Sequence, residues 1–143
     1  MNAAIAAARY LSGKGLVAFD EAGTAGNCFL NNLPAQPNLA VMVKQTGGNP
    51  VEAGGSIGYD EPTLQLLVRS SRDPRPGALL AQSLYDEMVG LRGVLDPAGE
   101  NLTLVRCLAA QSAPVHVGTD ENERHLYSIN LALHVRHVTQ HRA

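Results

Sequence analysis

Hydrophobic positions along this chain recur with two periods, and the switches between them predict its elements. Residues 3–11 are alanine-rich, with Ile5, Ala8 and Leu11 at helical spacing, and Ser12, Gly13, Lys14 and Gly15 follow as a stop. A short helix is expected there. Residues 23–38 hold Gly23, Gly26, Asn31, Asn32, Pro34 and Pro37 and read as irregular, with room for a short strand at residues 28–30. Residues 39–46 then alternate. Leu39, Val41 and Val43 fall on one face and Ala40, Met42 and Lys44 on the other, which predicts a strand. Gly47-Gly48-Asn49-Pro50 and Gly54-Gly55 interrupt it. The next strand is expected over residues 59–69, with Leu64, Leu66 and Val68 on one face and Thr63, Gln65 and Arg69 on the other. Two strands joined this way predict an antiparallel hairpin with an extended, flexible glycine-rich tip.

Asp73-Pro74-Arg75-Pro76 announces a second helix, because Asp73 can cap free amides and proline is tolerated in a first turn. Ala81, Leu84, Tyr85, Met88 and Leu91 continue one apolar stripe, and Gly90 and Gly93 are candidate terminators, so this helix is expected over about residues 74–91. Residues 102–110 are apolar on both faces, which suggests a central strand. Residues 113–118, from Ala113-Pro114 to Gly118, read as a break. Residues 124–138 alternate over their whole length: Tyr127, Ile129, Leu131, Leu133 and Val135 against Ser128, Asn130, His134 and Arg136. A long strand with one buried and one polar face is expected. The predicted order is α-β-β-α-β-β. It implies an α+β fold with a single antiparallel sheet of about four main strands and two helices packed on one face.

Length and composition narrow the function classes. The chain has 143 residues and a mass of 15.1 kDa, one domain's worth, and can build an ordinary core without staples. Hydrophobic residues make up 45% and charged residues 17%, which argues against disorder. Aromatics are 4% and tryptophan is absent, a poor basis for a base-stacking platform. The formal net charge is −2, so the basic footprint that grips a phosphate backbone is missing. No run of about 18 apolar residues suggests a membrane span. The N-terminus lacks a basic segment before its apolar stretch, which Arg9 interrupts, so a signal peptide is not expected and the protein reads as soluble and made in a cytoplasm. Cys28 and Cys107 allow at most one disulfide and read as small buried hydrophobes.

Catalytic and metal motifs are lacking. No GxSxG elbow, HExxH, Walker loop or GxGxxG occurs. His134, His137 and His141 would share a helix face, but in a strand pattern His134 and His137 point to opposite sides. No cysteine or carboxylate stands beside them to complete a zinc site. His116 and His125 flank an acidic turn, where a surface role is the default. In that turn, Asp120-Glu121-Asn122-Glu123-Arg124, adjacent carboxylates sit in water and nothing separates their acidities for acid–base work. Arg124 can pair with one of them. No catalytic, cofactor or metal residues are expected. A domain without an active site would act by contact, and long tips and open sheet edges suit that role.

The run from Ala113 to Asn130 resembles the C-terminal signature of a family of small bacteriophage proteins, the minor capsid or tail terminator proteins of long-tailed phages. The shared features are Pro114, Gly118, Asp120-Glu121, Arg124 and Ser128-x-Asn130; the departure is Glu123, where the family pattern has glycine. Upstream, residues 41–48, Tyr59-Asp60-Glu61-Pro62-Thr63-Leu64-Gln65 and Tyr85-Asp86-Glu87-Met88 are similar to further family segments. Together they cover roughly residues 15–138. The resemblance implies a structural, non-enzymatic virion protein, with residues 1–143 forming one tail-terminator-like domain. It would assemble as a homohexameric ring, cap the tail tube protein and join it to the head–tail connector or head completion protein, while DNA passes through without specific binding. The implied location is the virion neck, after assembly in host cytoplasm. Contact candidates are Gly47, Gly48, Asn49, Gly54 and Gly55 at the tip, and Asp120, Glu121 and Arg124 in the turn. The alternatives are a head-completion or adaptor protein on the portal side, or a small ligand-binding or enzymatic domain.

Overall fold

A computed structural model describes residues 1–49 and 58–142. Helix α1 spans Ala3–Gly13. The Asn2 side chain caps it by accepting from the Ile5 amide at 3.0 Å. Its buried face is Ala3, Ala4, Ala6, Ala7, Ala8 and Leu11, and side chains this small let the helix lie close to the sheet. Helix α2 spans Pro74–Met88. Asp73 accepts from the Arg75 amide at 3.1 Å, and Gly77, Ala81, Leu84 and Met88 form the buried stripe. Gly77 is required by proximity: a Cβ there would stand 2.4 Å from the Cβ of Ser70. The helix stops before Gly90, which takes φ +87 and donates its amide to the Cys107 carbonyl at 2.9 Å.

Among the described residues eight strands form one sheet: β1 Cys28–Leu30, β2 Ala40–Gly48, β3 Tyr59–Asp60, β4 Pro62–Arg69, β5 Gly93–Leu95, β6 Leu102–Ala109, β7 Val115–Thr119 and β8 His125–Arg136. The order is β1-β2-β4-β8-β6-β5, with β3 and β7 also pairing β8. β1 runs parallel to β2, and the other pairings are antiparallel. The 12-residue β8 is the spine, flanked by β4 and β3 along one edge and by β6 and β7 along the other.

The core runs across the sheet through Val43, Leu66 and Ile129, which are opposite one another and fully buried. Leu64, Val68, Leu131, Leu133 and Cys107 extend it, and Leu11, Leu84 and Met88 pack on it from the helices. Cys28 and Cys107 are free thiols, and burial pushes each up to about 12.

The expected antiparallel sheet of about four strands with two helices on one face is corrected. The sheet is mixed, has eight strands and curls as a half-barrel. Two strands that escaped the hydrophobic pattern, β5 and β7, have three and five residues, too few for a period to declare itself, and the strand expected over residues 59–69 is divided into β3 and β4. β7 occupies the stretch read as a break: its burial is exposed nearly throughout, so no apolar alternation marks it. β6 is not central, because among the described residues only the three-residue β5 lies beyond it. Its second apolar face, with Val105 and Leu108 more than 40% exposed, is turned outward. Bulges in β2–β4, β6–β8 and β7–β8 supply the bend that a flat sheet would lack.

Candidate assembly surfaces

The glycine-rich tip begins where β2 leaves the core. Burial falls from Val43 to Lys44 and stays low through Asn49. The hairpin nevertheless remains paired as far as Gly48 and Pro62, beyond a register shift, and Thr46 and Thr63 share a hydroxyl hydrogen bond of 2.6 Å. The Asn49 amide donates to the Glu61 carbonyl at 3.1 Å. Gly48 takes φ +140, and a Cβ there would stand 2.3 Å from that same carbonyl oxygen, so the position admits glycine alone. Gly47, Gly48 and Asn49 are exposed. Gly54 and Gly55 lie outside the described residues, as does most of the expected tip.

The 120–124 turn is built differently. Asp120 Oδ1 accepts from the amides of Asn122 and Arg124, both at 2.9 Å, and its Oδ2 accepts from Arg124 Nε at 2.8 Å. Arg124 is only 9% exposed. Its Nη1 donates to the Ala35 carbonyl at 2.7 Å. A second buried arginine, Arg69, donates to the Pro37 carbonyl at 2.6 Å and the Asn38 carbonyl at 3.1 Å. Burial, followed by the charge of Arg124, lowers Arg69 from the usual guanidinium value. The two guanidinium groups therefore hold the irregular 35–38 segment against the end of the sheet. Open clefts of about 510 and 370 Å³ flank Arg124.

Of the three turn candidates, Asp120 and Arg124 are thus committed inside the fold, and Glu121 is exposed to solvent. The amide of Arg124 is the main influence holding the Asp120 carboxyl below its ordinary range; burial, next in size, opposes it, and the Asn122 amide and the Arg124 side chain add to the lowering. A depressed carboxyl adds stability that is complete above its unfolded value and lost as pH falls through the folded one. Stability should therefore stay level down to about pH 4 and decline below it. In Asp120→Asn the decline should be shallower, as followed by urea midpoints between pH 2 and 7.

Glu123 takes φ +61, a left-handed conformation that costs a non-glycine residue about 1–2 kcal/mol. Glu123→Gly is expected to raise the urea midpoint slightly, because relief of strain exceeds the added freedom of the unfolded chain.

The side of the sheet turned away from the core was not singled out by the hydrophobic pattern. Phe29, Met42, Leu67, Ser128 and Val115 are successive cross-strand partners across five strands, forming a largely apolar line. Lys44, Gln65 and Asn130 form a polar line beside it. Farther along β8, His134 Nε2 lies 3.0 Å from Glu61 Oε1 and 3.5 Å from Arg106 Nη2. β7 pairs only with β8 among the described residues, and Val115 and Val117 are 44% and 52% exposed. Val115 and Val117 alone are too short an alternation to announce the strand, and the bulge between His116 and Gly118 interrupts its register to β8.

His134, His137 and His141 do not gather. His134 belongs to the Glu61 ladder, and β8 ends at Arg136, before the other two. Among the described residues no three His, Cys, Asp or Glu side chains are placed to hold a metal ion. No helix among them is long and apolar enough to cross a membrane.

What the described residues present, then, is a curled sheet with open edges and exposed stretches at residues 44–49 and 121–123. No curated protein matches the chain. The model of one protein family, described as bacteriophage tail terminator protein, matches residues 10–136. That span runs from within α1 through the end of β8, taking in the whole sheet and the 120–124 turn. The chain therefore belongs to the bacteriophage tail terminator family, whose members are structural components of the virion.

Proposed function

We propose that copies of this chain close into a ring, a homohexamer, on the last ring of the tail tube protein. There it stops tube growth and offers its other side to the head–tail connector, and DNA passes through the opening. The observation that carries this reading is the family match across residues 10–136. The fold is compatible with it. Sheet edges at β5 and β7 are available for heterologous contacts, which close into rings when the rotation permits. A chain of net charge −2 would not retard DNA by gripping phosphate. The protein acts as a shaped part without a catalytic step.

The glycine-rich tip, with Gly47, Gly48, Asn49, Gly54 and Gly55, and the exposed Glu121 are the contact residues in this reading. Asp120 and Arg124 contribute by keeping Glu121 presented. The test is solution mass in the presence and absence of purified tail tubes, with electron microscopy of the tube ends. Rings of six copies in solution or on one end of each tube support the reading. A monomer that leaves tube ends bare and lets tubes elongate contradicts it.

A further inference from the structure

Two open edges lie on opposite sides of the sheet. β4 and β7 both pair with Leu126, Tyr127 and Ser128 of β8, so they flank that strand on opposite sides, and β2 lies beyond β4. Among the described residues no strand pairs with the far side of β7. Val115, His116, Val117 and Thr119 are exposed there, and an unpaired edge is a template for another strand. On the other side of the sheet, β1 covers β2 only at residues 41–43. The Val41 amide donates to the Asn27 carbonyl at 2.7 Å, and the Val43 carbonyl accepts from the Asn31 amide at 3.1 Å. Alternate residues of β2 therefore turn their main-chain groups to this side. Gln45 is next in the alternation. Its side chain accepts from the Ala3 amide at 3.0 Å, while its main chain faces a side where no described strand pairs with it. Residues 44–48 are all exposed.

We propose that β7 of one copy pairs antiparallel with residues 44–48 of β2 in the next copy, so that the sheet continues from subunit to subunit. This rests on the ring proposed above and names the surfaces that close it. The two edges match in length, at five residues each. Being different edges on opposite sides, they make a head-to-tail contact, the kind that closes into rings. Strand sense fits as well. Three antiparallel steps lead from β2 through β4 and β8 to β7, so β2 and β7 run oppositely within one copy. Rotation about a ring axis keeps the sense of strands that run along it, so β7 meets the next copy's β2 antiparallel. Gln45 is level with Leu64 and Leu131, whereas β7 is level with residues 125–128. Successive copies therefore step along the strand direction, as strands of a closed sheet do. Charge agrees with the antiparallel direction. It sets Lys44 beside the turn that follows β7, where Glu121 is exposed; a parallel pairing would set Lys44 beside Val115. Lys44 and Glu121 take part in none of the ion pairs among the described residues.

The experiment places Thr46→Cys and Val117→Cys in the full chain, singly and together. Both positions are exposed, and the native Cys28 and Cys107 are buried. Treated with a short bismaleimide, alone and with purified tail tubes, the double variant should give a ladder of covalent multimers on denaturing gels. The parent and each single variant should stay monomeric. In solution mass, Lys44→Glu and Glu121→Lys should each weaken association about three- to tenfold, and the double reversal should regain most of the loss. Far-UV circular dichroism confirms that each variant is folded, and electron microscopy shows whether rings form. Rings without a ladder overturn this pairing and leave the ring itself standing. A ladder or dimer in either single variant also overturns it, because like edges would then meet. Charge reversals without effect, or without recovery in the double reversal, overturn the antiparallel direction. Absence of rings both alone and on tubes overturns the pairing and the ring together.

Discussion

Leu66→Ala is expected to lower the free energy of unfolding by about 3 kcal/mol, the largest effect of any single substitution considered. Leu66 sits in β4, the strand between β2 and β8. It is fully buried, as are its cross-strand partners Val43 and Ile129. Truncation removes three carbons from the middle of the sheet and leaves a cavity that strands paired on both sides cannot close. Leu→Ala changes at such sites cost about 2–5 kcal/mol, the spread reflecting how far the surroundings relax. Leu108→Ala is the matched control. That leucine is 43% exposed, and its replacement should stay within about 0.5 kcal/mol of the parent. Urea unfolding followed by circular dichroism reads both, and equal losses would place the core elsewhere.

Arg69→Met should cost about 2–3 kcal/mol by the same measurement. Methionine retains most of the apolar stem but removes the charged donors to the Pro37 and Asn38 carbonyls at 2.6 and 3.1 Å. Hydrogen bonds to charged groups contribute about 1.5–3 kcal/mol each. Two effects reduce the sum. Asn38 is exposed, so water can reach its freed carbonyl, and removing Arg69 relieves its repulsion with Arg124. The loss should be local as well as global: backbone amides in residues 33–39 should exchange faster, while those of β8 should keep most of their protection. Uniform loss across both segments would mean that the arginine does not anchor the loop.

The long periodic segments were legible in the sequence because each has enough residues to display its period. α1 was expected over residues 3–11 and is Ala3–Gly13. α2 was expected over about 74–91 and is Pro74–Met88. The hairpin of β2 with β4 and the alternating β8 appear with their expected buried faces. The sheet's size was not legible. Its short strands β5 and β7 are defined by their partners, β6 and β8, rather than by their own residues, and β8, at 12 residues, is long enough to pair with more strands than its own pattern announces. The parallel pairing of β1 with β2 is likewise a tertiary event. At the surfaces, the acidic turn was visible as charge. That Asp120 and Arg124 turn inward could not be seen, because their partners lie far away, at Ala35 in the case of Arg124. The same holds for Arg69, which reads as one polar position of a strand. His116 and His125, whose rings meet in a nitrogen–nitrogen hydrogen bond of 3.0 Å, were visible only as two separate surface residues, since their meeting depends on the strand register.

The central claim is that this chain stops a phage tail at its proper length. The direct measurement is the distribution of tail lengths, by electron microscopy, in particles assembled without it. Tails running well past the usual length and failing to join heads are the predicted result, with length control restored when the protein is supplied. Tails of uniform normal length that merely lie detached from heads would contradict termination and assign the protein to joining alone.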